Sequence, residues 1–552
     1  FNDYFCSVGE NIAGNIGNPN TNFRQYLTDK IQSTFFMNPV LEPEVHRELR
    51  KLQPKKASGP DAISNKIIKP CSVNLLEPLT LIYNTSIITA TYPTKWKLAK
   101  VFALFKKHSR FQPENYRPIS LLDTFGNVFE KLIYRQMMKF IVKHSILFIN
   151  QYGFRENYST TLALIDIVDK IKNSLDNNEY AIGIFLDLQK AFDTVNHEIL
   201  YVKLAHYGFR GHCLKFIQSY LSDRQQYSSV NGCNSDIKSI NYGVPQGSVL
   251  GPLLFLLYMN DIKNCINEES IKLFADDTAI FDHDSSLTRL LKRAEQKMKS
   301  LHSWFMANKL SLSLSKSNFV LFHGKNKKID QPIDKITFDT HSIPRVNSAK
   351  YIGLTLDETL SFDKHVNNVL KSLHIYFGIF YNVRNFINSH IIRSLYYCCI
   401  YSRIKYGLEI YGSCSKSLIQ KLQVIQNKLL RVIMNKDYRF NTNRLHRELN
   451  IFKITHVHQM SVLNFTHNCL HGDLISTFCE YFPLNINRHA HCTRQLGQIV
   501  KKKINTELGR SSTQFTGATL WNDLPSPIRN TKKFPSFKRK LNQFYREQYN
   551  DE

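Results

Sequence analysis

Three aspartates stand where a buried charge calls for a cation. Asp187 closes the short apolar run Ala181–Leu186 (AIGIFL), and Asp276 and Asp277 interrupt the apolar stretches of Lys272–Phe281 (KLFADDTAIF). A carboxylate at the end of a buried strand is costly unless it is paired or holds a cation. Adjacent carboxylates repel each other, and a divalent ion relieves that repulsion. Oxygen ligands suit Mg²⁺, which takes few carboxylates and leaves positions for water and substrate phosphates. Two such ions about 3.5–4 Å apart can activate an attacking hydroxyl and stabilise a leaving oxygen in an in-line displacement. Taken singly, each acid reads more readily as a turn residue or an ordinary ion-pair partner.

The elements that must position these acids are short and apolar. The length and β-branched content of AIGIFL predict a buried strand ending at Asp187. KLFADDTAIF has the pattern of a hairpin with the acids at its turn. Helical spacing predicts helices over Thr161–Leu175, Val195–Leu204 and Ala294–Leu310, and the start of a buried helix over Val249–Met259. Tyr351–Phe362 reads as another hairpin, and Lys55–Asp61 (KKASGPD) as a loop broken by Gly and Pro. Beyond residue 365 the pattern is helical and basic. Leu418, Leu422, Ile425, Leu429 and Val432 share one helix face, with Lys421, Lys428 and Arg431 elsewhere on it.

At 552 residues, the chain has room for about three to five domains or one large multi-lobed enzyme. Hydrophobic residues make up 43%, enough for sizeable cores. Lysine and arginine number 72 against 45 acids, a net charge of +27. That balance favours a polyanionic partner, nucleic acid or an acidic membrane surface, without choosing between them. The longest apolar stretch, Val249–Met259, is shorter than the ~20 residues a bilayer requires, and no signal peptide is evident, so no membrane partner is expected. The 11 cysteines form no tight even framework, which points to a reducing, intracellular compartment. Cys469, His471, Cys479, His489, His491 and Cys492 match no compact zinc spacing and are expected to be structural. Lys501–Lys503 and Lys538–Lys540 suit either nuclear targeting or phosphate contacts. The chain opens on Phe1 and is expected to be a fragment of a longer protein.

Segments in a fixed order carry a family resemblance. They are KKASGPDAISNKIIK (55–69), WKLAKVFALFKK (96–107), NYRPISLLDTFGNVFEKLI (115–133), NQYGFRENYST (150–160), FLDLQKAFDTVNHEIL (185–200), GVPQGSVLGPLLFLLYMND (243–261), LFADDTAIF (273–281), NKLSLSLSKSNFVLF (308–322) and KYIGLTLD (350–357). The chain resembles the reverse transcriptases of non-LTR retrotransposons, LINE-type elements of the jockey-like branch. LWNDLPSPIRN (520–530) and FPSFKRKL (534–541) extend the likeness towards the C-terminus.

The resemblance implies an α+β right-hand polymerase with fingers, palm and thumb, followed by a helical, basic C-terminal region. It divides the chain into an N-terminal connector (1–50), fingers and palm (51–365, the catalytic domain proper at about 87–357), a thumb-like helical region (366–450) and a basic C-terminal region (451–552). It implies two Mg²⁺ ions, replaceable by Mn²⁺, on Asp187, Asp276 and Asp277, with the role of Asp277 less direct. Phe192 would lie beneath the incoming sugar and exclude a ribose 2′-OH, the alternative being a core phenylalanine. Gln246 and Gly247, after Pro245, match the loop that supports the templating pair and the nucleotide. Arg117 matches a fingers arginine on the triphosphate, with Lys106 or Lys107 as a second cation there or a solvated surface residue. Lys316 matches either a proton donor to the leaving pyrophosphate or a plain nucleic-acid contact.

The expected partners are an RNA template, a DNA primer and dNTPs, and the expected compartment is intracellular, plausibly the nucleus. Relatives carry an endonuclease upstream, expected to be missing from this fragment. The rival reading is an inactive or domesticated relic that only binds nucleic acid. A group II intron or telomerase lineage fits the spacing less well.

Overall fold

Side chains of a strand alternate between two faces, and in Tyr180–Leu186 both faces are apolar, so the strand is buried on both sides. Ile182, Ile184 and Leu186 enter one hydrophobic core, whereas Ala181 and Phe185 enter a second. The computed structural model in which this is seen describes the whole chain except residues 18–20, 328, 330–332, 486–497 and 549–552.

Strands are numbered in chain order: β1 (Leu98–Phe105), β2 (Tyr116–Leu121), β3 (Tyr180–Leu186), β4 (Arg224–Val230), β5 (Cys233–Asn234), β6 (Lys238–Ile240), β7 (Ile271–Phe274), β8 (Asp277–Asp284) and β9 (Asn318–Phe322). One sheet has the order β7-β8-β3-β9 and is antiparallel throughout. A second has the order β2-β1-β4-β5, with β6 also on β4, and β1 runs antiparallel to β2 but parallel to β4. With helices packed around both sheets, the architecture is mixed α+β.

The first core lies between one face of the β3 sheet and the helices Thr124–Lys143, His197–His206, Leu250–Met259 and Leu287–Ala307. The helix Leu250–Met259 is apolar on all sides and accordingly buried. Its first amides are satisfied by a buried carboxylate, Glu130, whose Oε2 accepts from Val249 N (2.7 Å) and Leu250 N (3.0 Å). Inside this core Lys203 meets Asp261 at 2.5 Å and also donates to Tyr258 O.

The second core joins the opposite face of the sheet to the helix Thr160–Asp176 and to the helical remainder of the chain, as far as Phe537, Leu541 and Tyr545. Asp169 and Asp176 on that helix act as remote caps. Asp169 accepts from Thr513 N (3.0 Å) and Gln514 N (2.9 Å), at the start of the helix Thr513–Asp523. Asp176 accepts from Thr506 N (2.7 Å) and Thr506 Oγ1 (2.7 Å). On the helix Lys416–Ile433, Leu418, Leu422, Ile425 and Leu429 are buried and Val432 is half-buried.

The elements expected from the sequence form, with shifts at their ends. The helix expected at Ala294–Leu310 begins earlier and runs Leu287–Ala307. The hairpin expected over Tyr351–Phe362 lies several residues earlier: after the hairpin β10 (Lys335–Phe338)–β11 (His341–Pro344), strands β12 (Ser348–Tyr351) and β13 (Leu354–Asp357) turn at Ile352–Gly353. Residues 358–362 instead coil around the Asp357 carboxylate, which accepts from Ser361 N and Phe362 N, each at 2.8 Å. Among the described residues, no helix is long and apolar enough to cross a membrane.

Candidate active site

The β3–β8 ladder brings the acids together. Leu186 pairs with Thr278, so one step further Asp187 stands beside Asp277, and Phe274 pairs with Asp277 across the two-residue turn Ala275–Asp276. Asp276 thus lies in the turn, whereas Asp277 is the first residue of β8. Ala275 sits at φ 57°, a left-handed conformation costly for a side chain with a Cβ.

A segment just before the helix Thr160–Asp176 supplies what holds the turn. Gln151 is buried, and its Oε1 accepts from Ala275 N (3.0 Å) and from Gly153 N (2.8 Å). Tyr152 N donates to Leu273 O (2.7 Å), and Leu273 N donates to Asn150 O (2.9 Å). Gly153 lies so close to the turn that a Cβ would fall 2.3 Å from Ala275 N. The sequence flags this stretch only as part of NQYGFRENYST; the role of Gln151 depends on a backbone more than a hundred positions away.

Asp187 is held from the other side by residues 313–317. Asp187 N donates to Ser317 Oγ (3.3 Å), and Ser313 N donates to Asp187 O (2.8 Å). The same turn brings Lys316 Nζ to 2.8 Å from Asp187 Oδ2. Ser313 through its backbone amide and Ser317 through its hydroxyl therefore support the backbone of Asp187.

Two of these acids open onto a cleft of about 970 Å³. Asp187 and Asp276 line it together with Lys106, Lys107, Arg117 and Lys316. Lys190, which sequence reasoning did not single out, also lines it, and its Nζ donates to Glu114 O and Tyr116 O (3.3 Å each). Phe192, Gln246 and Gly247 form another part of the wall. The Phe192 ring stacks on Phe255 (centroids 4.5 Å apart) and meets Phe154 edge-on at 6.0 Å. Gly247 adopts φ 143°, and a Cβ there would fall 2.2 Å from Ser120 O, while Ser120 N donates to Gln246 O (2.9 Å). Only glycine allows so close an approach of loop to strand.

The electrostatics match the placement. Burial and then the neighbouring acids raise Asp277 to about 6. Burial, followed by the charge of Asp187, raises Asp276 as well. Lys106 is lowered by burial and by the charges of Arg117 and Lys316. Crowded carboxylates face crowded cations across one cleft, with Lys316 paired to Asp187, an arrangement suited to a ligand that brings both phosphate and divalent cation. Among the described residues, no three His, Cys, Asp or Glu side chains converge tightly enough to enclose a metal ion on their own. An open set of oxygens is what Mg²⁺ uses when substrate phosphates complete its shell.

The Cys/His group near the C-terminus falls partly outside the described residues: His489, His491 and Cys492 lie there. Of the others, Cys469 is buried on the helix Ile454–Leu470, Cys479 is exposed, and the His471 ring packs on that of His467, 4.3 Å away.

Residues 105–356 match the family model described as reverse transcriptase (RNA-dependent DNA polymerase). All the acids and cleft residues above lie within that span. Among characterised proteins, the chain is 29% identical over 487 residues to the RNA-directed DNA polymerase from mobile element jockey of Drosophila melanogaster, covering 86% of this chain and 50% of that protein. It is 28% identical to the probable RNA-directed DNA polymerase from transposon BS of the same organism, covering 78% of this chain and 48% of that one. It is 29% identical to the corresponding protein from transposon X-element, covering 77% and 47%. The chain thus spans about half the length of the curated relatives it matches. Residues 105–356 belong to the reverse transcriptase family, and the chain that carries them is related to the RNA-directed DNA polymerases of jockey-like non-LTR retrotransposons.

Proposed function

We propose that this chain copies an RNA template into DNA, extending a primer 3′-hydroxyl with dNTPs in the cleft between Asp187, Asp276 and the cationic wall. The observation that carries the reading is the meeting of Asp187 with the Asp276–Asp277 hairpin on one edge of a cleft whose other walls hold Lys106, Arg117, Phe192 and Gln246. In right-hand terms, the β7-β8-β3-β9 sheet is the palm, the β1–β2 hairpin belongs to the fingers, and the helices from Asp363 onward form the thumb and the region that follows it.

The donor set fits a hard divalent cation: it consists of oxygen alone, and burial, then the charge of the neighbouring acids, pushes Asp276 and Asp277 upward. Asp187, Asp276 and Asp277 would hold two Mg²⁺ ions, which when bound supply an activated hydroxyl and a stabilised leaving group. Arg117, with Lys106 and Lys107 beside it, presents a guanidinium fork and ammonium groups to the triphosphate. Phe192, fixed by its stack on Phe255, excludes a ribose 2′-OH. Gln246 and Gly247 present the loop that supports the nascent base pair. Lys316, in a half-exposed pair with Asp187, is free to turn to the departing pyrophosphate as a proton donor.

Primer extension on an RNA template tests this. The wild-type chain is expected to extend with dNTPs in Mg²⁺ or Mn²⁺. Asp276→Asn is expected to abolish extension while leaving nucleic-acid affinity nearly unchanged. Tight RNA binding without extension in either metal would make the chain a binding relic. Comparable extension by Asp276→Asn would mean that the chemistry lies elsewhere.

A further inference from the structure

The N-terminal helix Asn2–Gly14 lies outside the matched span, yet it packs against the cleft. Tyr4 and Ile12 line the cleft itself. The Lys190 ammonium lies 5.4 Å from the Tyr4 ring, and Phe1 meets Tyr116 edge-on at 4.8 Å. The helix is anchored at its start: Asn2 Nδ2 donates to Asp236 O (2.9 Å) and to Gln226 O (3.3 Å), and Asp3 pairs with Lys238.

The closest approach is at Gly9. A Cβ on Gly9 would lie 1.9 Å from Asp193 O, an overlap no side chain tolerates. Asp193 follows Phe192 directly, and its Oδ1 accepts from Gln246 Nε2 at 2.8 Å. No described residue bonds its Oδ2, which is buried. The backbones of the two loops are zipped around the same point: Val244 N donates to Phe192 O and Gly243 N donates to Val195 O, each at 2.9 Å. A small cavity of about 40 Å³ behind the loop is enclosed by Phe5, Cys6 and Gly9 on one side and by Asp193, Tyr242 and Gln246 on the other.

We propose that the N-terminal helix is the rear wall of the nucleotide pocket and that Asp193, backed by Gly9, is the positioning residue that aims Gln246 at the nascent base pair. The proposal rests on the reading of Gln246 as a pocket residue. Asp193 does not touch the nucleotide; it removes the freedom of a glutamine that does. A long polar side chain held at one end presents its other atoms in one place, which favours the bound nucleotide over the free one.

The test is single-nucleotide incorporation by the whole chain on a fixed RNA template and DNA primer. Asp193→Ala is expected to raise the KM for the correct dNTP about tenfold, the worth of one hydrogen bond to a buried carboxylate, with kcat and template–primer affinity changed far less. Gly9→Val is expected to give the same split. Asp193→Asn keeps an oxygen acceptor for Gln246 and is expected to restore most of the lost KM. In Gln246→Ala, the further change Asp193→Ala is expected to add little. Unchanged KM in Asp193→Ala, additive effects of Asp193→Ala and Gln246→Ala, or failure of Asp193→Asn to rescue would each overturn the proposal while leaving the polymerase reading intact. A wild-type chain that incorporates nothing overturns that reading itself and this inference with it.

Discussion

At the scale of single residues, the acids carry the account because they crowd one another: burial and neighbouring carboxylates raise Asp276 and Asp277, while Asp187 pairs with Lys316. Asp277, raised from the ordinary aspartate value of 3.8 to about 6, holds a proton between about pH 4 and 6 that the unfolded chain has already lost. In that window the metal-free fold gains stability as pH falls and loses it as pH rises through 6. A divalent cation reverses the preference, because it binds the ionised form. The rise in thermal midpoint on adding Mn²⁺ is therefore expected to be large near pH 7.5 and to shrink as pH drops below about 6. An increment equal at both pH values would mean that Asp277 and its neighbours do not hold the ion. Asp187 and Asp276 stood out in the sequence through their apolar flanks together with the motifs around them, since either acid alone reads as a turn residue or an ion-pair partner. Gln151 and Asp193 did not: a glutamine or an aspartate is ordinary in any loop, and their work lies in bonds to Ala275 and Gln246, distant in the chain.

At the scale of elements, the hairpin around the acid pair and the strand leading to Asp187 follow from alternation and length, and the structure has both, with Asp276 in the turn and Asp277 opening the second strand. The hairpin expected over Tyr351–Phe362 was displaced because Leu360 and Phe362 are buried without belonging to a strand, the Asp357 carboxylate having taken over the amides of Ser361 and Phe362. The helix Thr160–Asp176 was legible as a helix, but its function as a spine was not. Its polar positions Asp169 and Asp176 look like solvent-facing acids until the C-terminal segment is placed on them. Each is buried and accepts several hydrogen bonds, so Asp169→Ala or Asp176→Ala is expected to cost roughly 1–3 kcal/mol. Thermal unfolding and limited proteolysis check this: the midpoint should fall, and cleavage after residue 498 should quicken. Wild-type behaviour in both would mean that the C-terminal segment docks by other means.

At the scale of the whole molecule, the two faces of one sheet explain how the candidate cleft and a long helical remainder share a single chain. One face builds the core behind the acids; the other carries the helix Thr160–Asp176 and everything that packs on it as far as Tyr545. The net charge of +27 pointed to a polyanion, and the cations of the cleft give part of that charge a place. The joining of the C-terminal helices to the sheet was not legible, since apolar helix faces fit many partners and only tertiary packing selects one. The central claim, that Asp187, Asp276 and Asp277 hold divalent cations for nucleotidyl transfer, is tested most directly by counting Mn²⁺ bound to the complex with RNA template, DNA primer and a non-hydrolysable dNTP, by electron paramagnetic resonance. The wild-type complex should hold about two ions, and Asp187→Asn and Asp276→Asn should each bind fewer or bind them far more weakly. Equal numbers and affinities in all three proteins would contradict it.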